Sequence, residues 1–290
     1  MPADHHLYTR VKRKLHSVYR NFRCMPLNSV PSWKRVNDRF EMKLSSQDWM
    51  DRAFFLGDYD DALLCAIDTF VSRGDQCIDI GAHKGYVSLS LASTVGPEGK
   101  IFAFEPDAGV RSQLIENVEH NQCSNIQIFS YALGEEEGEA TFFVSQQPGW
   151  SSRFPNKMAQ TKINSTVTVP VKVLDELVTA KEMEVDPTRL SFVKIDCEGS
   201  EPGVLSGMKD LLAKANPVLW IEVNRDSLRV AQSSIEALQD IILHLGLRLY
   251  TFEFDKPVWG PPRIQFRAIQ KLAMDQDIPY DIVATKRALV

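Results

Sequence analysis

The stretch QCIDIGAHKGYVSLSLAST, residues 76–94, constrains the fold of this chain more than any other. A short apolar run containing Asp79 reaches Gly81 and Gly85, and a helical pattern begins at once and stops at Gly96. Glycine suits a turn that must reverse tightly and let another group approach the backbone closely. The helix that follows offers first-turn N–H groups without intrahelical partners. A turn of this kind at the C-terminal end of a core strand is where open α/β sheets bind ligands.

The pattern then alternates. KIFAFEP reads as a second strand, and VRSQLIENVEHN as a helix with Val110, Leu114 and Val118 on one face. IQIFSYAL is a third strand. LSFVKID and VLWIEV are two more, separated by one helix carrying Val204, Leu205, Met208, Leu211 and Leu212. Asp226 is expected to cap a long helix over SLRVAQSSIEALQDIILHLG that stops at Gly246, with LRLYTFEF and DIVATK as late strands. Near-continuous apolar strands alternating with helices predict an α/β fold, a mainly parallel twisted sheet with helices on both faces. EATFFV and STVTVPVKVL flank a polar loop, 145–165, as a β insertion before the fourth core strand.

The N-terminus differs in character. Leu7, Val11, Leu15, Val18 and Phe22 recur at helical spacing, with Arg10, Lys12, Arg13, Lys14 and Arg20 on the other faces. Residues 1–53 are read as a basic helical extension and 54–290 as the main domain, opened by a helix over DYDDALLCAIDTFVSRGD. Nine Lys or Arg stand against Asp4 and Asp38 in residues 1–40, so with a total of −5 the rest of the chain carries −12. An acidic core is a poor partner for nucleic acid. The extension is either packed on the domain or in peripheral contact with an anionic surface. The five cysteines, Cys24, Cys65, Cys77, Cys123 and Cys197, are scattered and form no CxxC pair. With no apolar leader and no membrane-length apolar run, this points to a reducing, cytoplasmic setting. Nothing in the sequence sets the oligomeric state.

Glu105 stands at the end of the second strand, where an acidic side chain suits the two hydroxyls of a ribose. A dinucleotide and S-adenosylmethionine both fit that description. The spacing DxGxxxG, with Ala82 and His83 between the glycines, departs from the GxGxxG of dinucleotide sites. An Asp ahead of the glycines also suits an amino-acid moiety better than a diphosphate, which favours the methyl donor.

FFLGDYDDALL, CIDIGAHKGYVSL, IFAFEPD, YALGEEEGEATFFV, VKVLDEL and SFVKIDCEGSEPGVLSGMKDLL with PVLWIEVN resemble, in order, the blocks of the FkbM family of S-adenosylmethionine-dependent methyltransferases. The resemblance covers roughly residues 54–224. It implies a Rossmann-like class I methyltransferase fold and O-methylation of a hydroxyl on a sugar, glycolipid, polyketide or other small natural product. His83 stands where the family usually has Asn, and Lys84 where it has an apolar residue. His83 is therefore a candidate for proton acceptance as well as for lining the cofactor site.

In VKIDCEGSE, Lys194 and Asp196 fall on one side of a strand that ends at the expected methyl position. Asp196 is a candidate proton acceptor, with Lys194 tuning it and Glu222 on the neighbouring strand. Asp196, Glu222 and Asn224 are alternatively oxygen ligands for Mg²⁺. As structure alone, Lys194 would pair with Glu222, and Glu198 would cap the next helix. Tyr131 and Ala132 are expected to end the third strand beside an adenine. Trp150, Ser151, Ser152 and Glu198 are candidates for the acceptor pocket. Rival readings are an RNA ribose 2′-O-methyltransferase and a non-catalytic binding protein of the same shape. Deleting residues 1–25 is expected to leave donor affinity unchanged in a calorimetric titration.

Overall fold

The computed structural model describes residues 27–57, 59–145, 163–257, 260–274, 276 and 278–289. The amphipathic segment 7–22 and Trp150, Ser151 and Ser152 lie outside them. The described residues up to Asp61 form one compact unit and those from Ala62 onward another. The sequence reading placed that division at 53/54.

In the first unit, β1 (Ser32–Val36) and β2 (Phe40–Leu44) form an antiparallel hairpin. Asn37, Asp38 and Arg39 turn it: the first two are left-handed, with φ of 48° and 56°, and the Arg39 N–H donates to the Val36 carbonyl at 3.0 Å. Phe40, Met42 and Leu44 alternate inward along β2. A helix, Trp49–Leu56, follows; Asp48 caps it by accepting the Met50 N–H. The hairpin departs from the reading of residues 1–53 as a helical extension.

The second unit is built on β3 (Gln76–Ile80), β4 (Lys100–Phe104), β5 (Ile126–Phe129), β6 (Ala132–Leu133), β7 (Gly138–Ser145), β8 (Ile163–Lys172), β9 (Leu190–Ile195), β10 (Val218–Val223), β11 (Arg248–Asp255), β12 (Arg263–Ile269) and β13 (Tyr280–Thr285). Eight of these strands form one sheet in the order β12-β11-β13-β10-β9-β3-β4-β5. From β5 to β10 the pairing is parallel; β13 enters antiparallel between β10 and β11. Every residue of β3 and β9 is buried, as a sheet covered on both faces demands. The insertion makes a separate sheet, β6-β8-β7. Among the described residues no helix is long and apolar enough to cross a membrane, and the described cysteines are unpaired.

The pleat sorts the two faces. Ile78, Ile80, Val193, Ile195, Leu219 and Ile221 enter one apolar cluster with Val204, Leu205, Leu211, Leu238 and Ile242. The alternate positions Asp79, Lys194 and Trp220 are Cα partners across β3, β9 and β10 and so share the opposite face. Sequence periodicity thus puts hydrocarbon on one side and the ionisable groups on the other.

Three expectations need correction. The helix after β9 is two, Glu201–Ser206 and Lys209–Lys214. A Cβ at Gly207 would lie 2.1 Å from the Gly134 carbonyl oxygen, so the chain meets the insertion's backbone there. The second helix is capped from afar by the Asp175 carboxylate, which accepts the N–H groups of Asp210 and Leu211. The long helix before β11 is also two, Arg225–Val230 and Ile235–His244, capped by Asn224 and Ser234 and not by Asp226. The third strand stops at Phe129, and β12 is an additional strand that pairs with β11.

Gly207 has helical φ of −77°, so alanine there is opposed by contact alone. Gly207→Ala should lower stability by about 1–3 kcal/mol through overpacking. Gly246→Ala, at φ 72° with open space around it, should cost only about 1–2 kcal/mol of left-handed strain. Urea midpoints at unchanged slope would report both.

Candidate active site

The site begins where β3 ends. Gly81 and Ala82 both donate their N–H groups to the Phe104 carbonyl, at 3.0 Å each, which ties the turn to β4. Gly81 has φ of 79°, and a Cβ there would lie 1.9 Å from the Asp196 carbonyl oxygen, so the turn crosses directly over the end of β9. Gly85, φ 92°, starts the helix Tyr86–Val95, and a Cβ on it would meet Leu114 at 2.5 Å. Asn117 fixes the turn from the next helix, Ala108–His120, by donating to the Lys84 carbonyl at 2.9 Å.

Asp79 lies beneath this turn and is wholly buried. Its Oδ2 accepts the Ser88 hydroxyl at 2.6 Å, and its Oδ1 is 3.9 Å from Lys194 Nζ. Burial raises its carboxyl above the usual range, opposed by Lys194 and Ser88. The carboxylate therefore faces inward and braces the turn. Lys194 does not pair with Glu222: its ammonium donates to the Gly81 carbonyl at 2.9 Å and lies 3.2 Å from Asp196 Oδ2.

Glu105, just past β4, is buried. Its two oxygens accept the N–H groups of His83 and Asp107, at 2.9 Å each. Burial pushes its carboxyl up to about 7 against the pull of those two bonds. His83 supplies its N–H from a left-handed conformation, φ 49°. Asn and His are both enriched in that region. The exchange of the family's Asn for His at this position thus has a backbone reason, independent of proton acceptance.

At the other end of the site, the Asp196 N–H extends the β3–β9 ladder by donating to the Ile80 carbonyl. Glu198 is left-handed, φ 53°, and Gly199 follows at φ 104°, where a Cβ would strike the Ser227 carbonyl oxygen at 2.5 Å. Glu198 caps no helix. Its Oε2 accepts the Ser227 hydroxyl at 2.8 Å. Glu201 holds the turn instead, accepting the N–H groups of Cys197 and Gly199. Oxygens of Asp196, Glu198 and Glu222 all lie within 4.8 Å of one another. Burial first, then neighbouring carboxylates, pushes Glu198 up to about 7 and Glu222 well above its ordinary value. Asn224 serves as a helix cap, its Oδ1 accepting the Ser227 N–H at 3.2 Å.

Tyr131 and Ala132 are not at a strand end of the main sheet. Tyr131 packs against the apolar cluster, its ring 6.2 Å from that of Phe129, and Ala132 pairs with Val171 in the small sheet. Burial raises the Cys197 thiol well above its ordinary value, which fits a small space-filler and not a nucleophile. Ser88, Glu201 and Ser227 escaped the sequence reading. Ser88 alone carried a signal, a polar residue in the first helical turn between the apolar Val87 and Leu89.

The parallel sheet with β13 antiparallel between β10 and β11, and a glycine turn joined to an acidic strand end, define a Rossmann-like class I methyltransferase fold. The Methyltransferase FkbM domain matches residues 79–253, and the chain belongs to the FkbM methyltransferase family. It is 26% identical over 211 residues to Methyltransferase 1 of Beauveria bassiana (strain ARSEF 2860), covering 65% of this chain and 77% of that one. It is also similar to the solved methyltransferase FkbM from Methylobacillus flagellatus KT, at 15% identity and TM-score 0.39 over 73% of this chain and 52% of that one. A SAM-dependent O-methyltransferase from Thermotoga maritima is similar at 12% identity and TM-score 0.39, over 78% and 64% of the two chains.

Removing the Lys194 ammonium would strand the buried Asp79 carboxylate. Lys194→Met should therefore cost about 3–5 kcal/mol, the range for breaking a buried pair. Adding Asp79→Asn should recover part of it. A double-mutant cycle by urea unfolding measures the coupling.

Proposed function

We propose that the chain transfers a methyl group from S-adenosylmethionine to a hydroxyl oxygen of a small-molecule or glycan acceptor in the cytoplasm. The observation that carries the reading is the Lys194 ammonium. One cation binds the Gly81 carbonyl of the turn and the Asp196 carboxylate at the neighbouring strand end. It fixes a donor site and an acceptor site against each other, as an in-line displacement needs.

Bound S-adenosylmethionine would supply an electrophilic methyl group on a sulfonium, which keeps the electron pair of the broken bond. The residues present fit it. Gly81 and Gly85 keep the turn clear of side chains, and the Glu105 carboxylate offers its remaining lone pairs to the ribose hydroxyls. Asp196, Glu198 and Glu222 mark the side where the acceptor oxygen gives up its proton as the new C–O bond forms. Three carboxylates at the strand ends oppose a passing phosphate backbone. This favours a hydroxylated small molecule or glycan over RNA.

Three measurements test this. Calorimetric titration with S-adenosylmethionine should show saturable binding, and Glu105→Gln should weaken it by about 1–3 kcal/mol. An ionised carboxylate accepts from both ribose hydroxyls, whereas the protonated form keeps a hydrogen of its own. Donor affinity should therefore rise as pH rises through about 7, and Glu105→Gln should flatten that rise. With labelled donor and an acceptor found by screening sugar, lipid and small-molecule extracts, Asp196→Asn should lose about 10²–10⁴ in turnover while keeping donor affinity. Near-normal turnover by that variant would refute the assignment of the acceptor end.

A further inference from the structure

We infer that Asp196, Glu198 and Glu222 form a binding site for one hard divalent cation of the Mg²⁺ or Mn²⁺ class. The inference rests on reading this end of the sheet as the acceptor side, and it replaces Asn224 by Glu198 in the set that the sequence suggested.

Three separate pieces of backbone bring the carboxylates together: the residue after β9, the left-handed turn that follows, and β10. Their nearest oxygens lie within 4.8 Å of one another. Convergence of acidic groups alone would say little. The independent mark is Glu222 Oε2, an oxygen closed off from solvent that has no hydrogen-bond partner among the described residues. A buried oxygen of that kind calls for a cation or a donor.

The neighbouring ammonium does not meet the need. Lys194 Nζ is drawn toward Gly81 O, Asp79 and Asp196. Asp79 and Asp196 thus share this ammonium. The donor set is all carboxylate oxygen, which selects a hard ion. Ser227 donates to Glu198 Oε2 and orients it, the support that ligating carboxylates ordinarily receive. A cation held here would ease loss of a proton from a neighbouring hydroxyl.

Titration of the full chain with Mn²⁺, followed by the EPR signal of the free ion, should show a single saturable site that Mg²⁺ displaces. Glu198→Gln and Glu222→Gln preserve side-chain size and should each weaken it about tenfold or more. Asp240→Asn, in a separate acidic groove that Asp175 and Asp210 also line, should leave it unchanged. Titrating the same proteins with S-adenosylmethionine reports the donor end and shows that they are folded. Intact donor binding without saturable Mn²⁺ uptake overturns the cation site and leaves the methyltransferase reading standing. Saturable Mn²⁺ without any response to the donor does the reverse. Uptake that both Gln variants leave untouched, or that Asp240→Asn alone removes, also overturns the site. Should Glu222→Gln fail to fold, Glu198→Gln decides.

Discussion

A single ammonium group, that of Lys194, holds the working end of the sheet together. Its contacts reach three segments: Asp79 inside β3, the Gly81 carbonyl in the turn, and Asp196 past the end of β9. An ammonium is compact and carries three donors, so it can serve partners in several directions at once. Placed in a largely buried setting, it makes the charge on Asp79 tolerable and orients the turn above it. Ser88 completes the arrangement from the first turn of the following helix.

That ammonium works because of where the pleat delivers it. Asp79, Lys194 and Trp220 stand in register across three parallel strands, and two residues on, Glu222 continues the same face. The residues between them feed the apolar cluster on the other side. The charged groups of these three strands, Asp79, Lys194 and Glu222, are thus confined to one layer. On this face Trp220 also packs against Phe252, ring centroids 4.6 Å apart and tilted by 32°, where hydrocarbon takes over again.

Much of this was legible in the chain. The glycine turn, Glu105, the pairing of Lys194 with Asp196 on one side, and the β3 to β5 alternation follow from period-2 and period-3.6 patterns that tertiary contacts reinforce. The misses share a cause: they depend on partners distant in sequence. Nothing local says that Asp175 caps a helix beginning at Lys209, or that Gly207 meets Gly134. Asn224 and Asp226 are both good caps two residues apart, and only the bond to Ser227 decides between them. The Asn37–Asp38 hairpin sits in a polar string whose alternation is apparent only along β2. β12 has mostly exposed residues and so gives a weak strand signal.

The crossing of the turn over β9 has an evolutionary consequence. With the Gly81 Cα so close to the Asp196 carbonyl oxygen that no side chain fits between them, the two halves of the site share one backbone junction. A substitution that reshapes one half there disturbs the other. Sequence change at Gly81 and at Asp196 is therefore constrained jointly, since neither backbone can move there without displacing the other.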